Sequence, residues 1–92
     1  MFQNERGVLG VLLAEPTIFD RLARLLSPTH FTLPAHQTIY RAMLDLWARG
    51  ETTDALTVAE ALRQAGTLAE IGGQAMLAGL LEAALERPPP DV

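Results

Sequence analysis

Pro34-Ala35-His36-Gln37-Thr38-Ile39-Tyr40-Arg41-Ala42-Met43-Leu44-Asp45-Leu46-Trp47-Ala48-Arg49-Gly50 is the stretch whose reading decides the fold. Pro34 suits the first turn of a helix, where a missing N–H would be unpaired anyway. Ile39, Met43 and Leu46 form one helical row and Tyr40, Leu44 and Trp47 the next, so the buried face is wide. Arg49 in the last turn complements the helix dipole, and Gly50 suits the left-handed position after it. A long helix over 34–49 is the expectation. The rest of the chain agrees: Leu and Ala make 30 of 92 residues, while Val and Ile together make seven. Such a bias toward unbranched helix formers predicts an all-α fold, a compact orthogonal bundle of about five to six short helices.

Upstream, a helix is expected over about Gln3–Ala14, with Val8, Leu9, Val11, Leu12 and Leu13 on its apolar face. Gly7 and Gly10 stand i, i+3 inside it. Each costs up to about 1 kcal/mol against Ala, which points to close helix approach on that face. Pro16 opens a second helix carrying Ile18, Phe19, Leu22, Leu25 and Leu26, ended by Ser27-Pro28. Ser27 is placed to cap a short turn begun by Pro28, with Phe31 as its core anchor.

Downstream, Glu51–Leu56 reads as a polar loop holding Asp54. Thr57-Val58-Ala59-Glu60 then reads as a capping box starting a helix that Gly66 stops. Thr67–Ile71 has room for at most one turn before Gly72-Gly73. The last helix is expected from Gln74 to about Glu86, with Leu77, Leu80, Leu81, Ala84 and Leu85 at helical spacing. Pro88-Pro89-Pro90 cannot continue it, so 88–92 reads as a Pro-rich linker or an artificial terminus.

Composition excludes several functions. Without cysteine there is no disulfide framework, thiolate zinc site or cysteine nucleophile. Without lysine these residues hold no P-loop. No apolar run approaches a membrane span, so a cytoplasmic protein is the default. Net charge is −4 and the pI about 4.9, a poor balance for gripping phosphates. A protein partner fits better.

No catalytic, cofactor or metal site assembles. His30 and His36 lie six apart without further ligands, and His36 reads as a structural residue bonding back to the connector before its helix. Glu82 and Glu86 read as a solvated i, i+4 face rather than an acid–base pair. The lone serine, Ser27, sits in a capping position. Phe19, Phe31 and Tyr40 read as core, Trp47 as partly surface, and Met76 as core filler or part of a partner-facing patch.

The ordered set Glu5, Val8-Leu9-Gly10, Leu12-Leu13, Phe31, Pro34-Ala35-His36, Ile39-Tyr40, Ala42, Gly50-Glu51, Asp54, Thr57-Val58-Ala59-Glu60, Leu62, Gly66, Leu68, Gly72-Gly73 and Leu77 resembles the N-terminal domain of DnaB-type replicative DNA helicases. The resemblance covers about residues 5–82 and implies a globular collar domain over 1–87. It implies a hexameric parent that unwinds DNA at the replication fork. The ATPase motor, with its ATP and magnesium, would lie in a separate C-terminal RecA-like domain beyond Val92. The collar would dock the C-terminal domain of primase and pack against neighbouring helicase subunits, without binding DNA itself. Glu5, Met76, Leu77 and Leu80 are the partner-binding candidates that follow. Two departures matter. Arg87-Pro88-Pro89-Pro90 stands where the family usually enters a helical hairpin, so a monomer is expected. Met76 stands where the family often carries an aromatic. The alternatives are the helicase-binding domain of a primase and a small nucleic-acid-binding helical domain.

Overall fold

The computed structural model describes residues 5–85. The expected helix start at Gln3, the last-turn Glu86, the domain boundary at 87 and the Pro-rich segment 88–92 fall outside them. Within the described residues the chain is all helical: α1 (Glu5–Ala14), α2 (Pro16–Leu22), a 3-10 turn (Pro28–His30), α3 (Pro34–Ala48), α4 (Ala55–Ala65) and α5 (Gln74–Leu85).

The two ends of the described chain form the main seam, α1 on α5. Gly10 is the reason they fit. A β-carbon built there would stand 1.9 Å from the Leu80 carbonyl oxygen and 2.9 Å from Ala84 Cβ. The close approach expected on that face is therefore present. Behind the seam, Leu9, Leu12 and Leu13 of α1 meet Phe19, Ile39, Tyr40, Met43, Leu46, Val58, Leu62, Leu77 and Leu80 in one core.

An aromatic row organises the α2–α3 side. Tyr40 lies between Phe31 (ring centroids 5.0 Å apart) and Phe19 (5.6 Å), and Trp47 meets Phe19 edge-on at 6.5 Å. Burial pushes the Tyr40 hydroxyl up to about 12, so it stays protonated and donates to the Leu26 carbonyl at 3.0 Å. That bond bears on a correction: α2 ends at Leu22, not at Ser27-Pro28. Beyond Leu22 the chain leaves the helix as a turn, which leaves Leu25 exposed and frees the Leu26 carbonyl for Tyr40. Ser27, before a proline, is extended as that position demands. The turn that follows is closed by His30, whose Nδ1 accepts from the Ser27 N–H at 2.9 Å, while the Ser27 hydroxyl pairs with Thr29. Phe31 anchors it in the core.

The second correction is the start of α4. Asp54, not Thr57, is the N-cap: it is extended (φ −71°, ψ 168°) and its carboxylate accepts from the Thr57 N–H at 3.0 Å. Thr57 is thus the third helical residue, and Glu60 turns outward to Arg63 and Gln64 instead of reaching back. Gly66 closes the helix at φ 77°, as expected.

Candidate partner-binding face

Glu5 sits at the head of α1 with its side chain only 11% exposed. Its Oε2 accepts from the Thr32 N–H (2.8 Å) and the Thr32 hydroxyl (3.1 Å). Its Oε1 accepts from the Leu33 N–H (3.4 Å) and lies 2.6 Å from Nδ1 of His36, which is 1% exposed. Burial opposes ionisation, but these hydrogen bonds outweigh it and hold the carboxyl below the ordinary range. His36 is thus structural, with a different partner from the one expected: it bonds Glu5, and Glu5 in turn bonds the connector. No side chain of the connector caps α3, whose N-cap is Leu33. The carboxylate of α1 instead ties down the two amides just before the helix and the His36 side chain in its first turn, from 27 to 31 positions away.

On the α5 side of the seam, Gly72 (φ 109°) and Gly73 (φ 74°) turn the chain into α5, with the Met76 N–H donating to the Gly73 carbonyl. Met76 is half-buried against the core, Leu77 is 3% exposed and Leu80 is 0% exposed. The four candidate residues therefore do not form one open patch. Glu5 tethers the 32–36 corner, Leu80 floors the α1–α5 seam, and only Met76 shows substantial surface.

A feature the sequence did not suggest lies beside them. Ala55, Leu56, Ala59, Gln74, Leu77, Ala78 and Leu81 line an open, mostly apolar groove between α4 and α5. Leu56 stands on its rim, 76% exposed. Counting Leu56 as loop hid the groove. The signal was Asp54 as N-cap, which puts Leu56 in the first turn of α4. Among the described residues no group of three His, Cys, Asp or Glu is arranged to hold a metal, and no helix is long and apolar enough to cross a membrane.

A small all-helical bundle with a glycine seam and an exposed apolar groove is the class of domain these residues build. The chain belongs to the DnaB-like helicase N-terminal domain family, whose model matches residues 1–88. It is similar to the replicative DNA helicase DnaB of Mycobacterium leprae, 49% identical over 78 residues. That alignment covers 84% of this chain but 13% of the helicase. The replicative DNA helicase DnaC of Bacillus subtilis is 38% identical over 71 residues, covering 77% of this chain and 16% of that protein. The crystal structure of the N-terminal domain of DnaB helicase from Mycobacterium tuberculosis superposes with a TM-score of 0.80 at 42% identity, covering 86% of this chain and 57% of that one. The chain thus spans a small part of its full-length relatives.

Proposed function

We propose that this domain serves as the N-terminal interaction module of a cytoplasmic, hexameric replicative helicase, packing into the collar of the ring and docking the C-terminal domain of primase. The observation that supports an interaction role is the α4–α5 groove with Leu56 exposed on its rim, a large apolar side chain presented to water beside an apolar cleft. Met76 lies next to Leu77, which lines the groove, and supplies an adaptable apolar contact. Leu77 forms part of the floor, while Leu80 and Glu5 act behind it by fixing the seam and the 32–36 corner. The net charge of −4 favours a basic partner through its association rate and disfavours DNA.

The test is an amide-resolved NMR titration of this chain with the cognate primase C-terminal domain. Shifts clustered on Leu56, Met76 and Ala78 are expected. Leu56→Asp should weaken binding about tenfold or more without loss of the fold, since the side chain is already in solvent. No shifts at hundreds of micromolar would count against docking by this domain.

A further inference from the structure

We propose that a recess at the opposite end of α3 is a receptor for an arginine side chain carried by a partner protein. The recess holds about 240 Å³ and is lined by Pro16 and Asp20 of α2, Trp47 and Gly50 at the end of α3, and Glu51 and Thr53 of the loop beyond. None of these was singled out for partner binding by sequence.

Three observations converge on a guanidinium. The recess is acidic: Asp20 and Glu51 line it and no basic side chain does. Asp20 Oδ1 accepts the Trp47 indole N–H at 2.7 Å, which leaves the second carboxylate oxygen for a ligand. Arg49 reaches Glu51 only at 3.6 Å across half-exposed side chains, a loose pair that an incoming cation can displace.

The indole is also preset. Its N–H is tied to Asp20, and it meets Phe19 at an interplanar angle of 75°, so its plane is fixed before any ligand arrives. A guanidinium stacks on such a face, and preorganisation lowers the entropy lost on binding.

Thirdly, Thr53 is 2% exposed and its hydroxyl has no hydrogen-bond partner, the one such buried side-chain atom among the described residues. Native interiors rarely leave a buried hydroxyl unpaired. An arginine head carries five N–H donors in a planar fork and satisfies several acceptors at once, whereas a lysine ammonium is a hydrated point charge that does not stack in the same way. A divalent metal is a poor occupant, because no three ligating side chains converge among the described residues.

Trp47 is the only tryptophan of the chain, so its emission reports this recess alone. The experiment titrates the chain with acetyl-Gly-Arg-Gly-amide and with its lysine and citrulline counterparts. A saturable change is expected with the arginine peptide at about millimolar concentration, and binding of citrulline about tenfold weaker. Asp20→Asn and Glu51→Gln should each weaken the arginine peptide about three- to tenfold, less at high salt. Asp20→Asn keeps the acceptor for the indole N–H, so melting curves of both variants should match the parent. Glu70→Gln, on the exposed turn before α5, should leave binding unchanged. Amide shifts at Thr53 with the arginine peptide alone would support the assignment. Equal binding of citrulline or lysine would overturn it, as would no loss in either carboxylate variant. Emission that changes with protein concentration before peptide is added would also overturn it, in favour of self-association.

Discussion

α1 and α4 are helices of similar length held in opposite ways. α1 takes its support from residues far along the chain: Gly10 against the Leu80 backbone, Glu5 against Thr32, Leu33 and His36, and Arg6, whose Nη2 donates to the Gly79 carbonyl. α4 takes much of its polar support from itself, through the Asp54 cap, the Glu60–Arg63–Gln64 cluster and the left-handed Gly66. With two glycines in ten residues, α1 is a poor helix alone. The same glycines make it a good partner. Intrinsic helicity and packing capacity have been traded against each other, and the two helices sit at opposite ends of that exchange.

The contrast is broken most severely at Gly10. Gly10→Val drives side-chain carbons into the Leu80 carbonyl, backbone that cannot step aside, and should destabilise by about 3 kcal/mol or more. In a thermal melt followed by circular dichroism, the midpoint should fall by more than about 10 °C. A melt close to the parent would show that the seam is looser than this geometry.

Glu5→Ala comes next, at about 2 kcal/mol in urea unfolding, since it strips partners from His36 and two backbone amides. Its pH dependence has a definite sign. The folded pKa lies below the ordinary carboxylate value of 4.5, so the contribution is present in full above that value and is lost as pH falls through the lowered one. The stability gap between the parent and Glu5→Gln should therefore narrow from about pH 6 to about pH 3. A gap that widens on acidification would contradict the carboxylate's role.

Asp54→Ala should cost about 1 kcal/mol, and more than Thr57→Ala, in the same urea assay. Reversal of that order would restore Thr57 as the cap. Smallest of all is Glu60→Gln. It removes an exposed local pair and should leave the melting temperature within error.

What the sequence disclosed follows the same division. The all-α class, α3 from its Pro34 and Gly50 bounds, the Gly66 stop and the Gly10 approach were all legible, because each rests on local propensity or on a residue with one plausible use. The α2 terminus was misread because a tertiary bond, Tyr40 to the Leu26 carbonyl, sits where the periodicity ran on. Thr57-x-x-Glu60 matched a capping box, but Asp54 three residues earlier also qualified, and the pattern alone could not rank them. The Glu5–His36 contact joins positions 31 apart and has no local signal. The groove stayed hidden for a related reason: it belongs to the space between α4 and α5, which no single segment specifies.

The seam between α1 and α5 also sets an order in time. Arg6 and Gly79 are 73 positions apart, so the main helix pair closes almost the longest loop the described chain allows. Loop closure on that scale comes before its reward, and rate falls as contacts become less local. A helical domain of this size would otherwise be among the fast folders. During synthesis the first helix, weak on its own, waits for the last one to emerge. Until then Leu9, Leu12 and Leu13 lack the wall that α5 provides, and that interval is when the nascent domain is most open to chaperones or to misassociation.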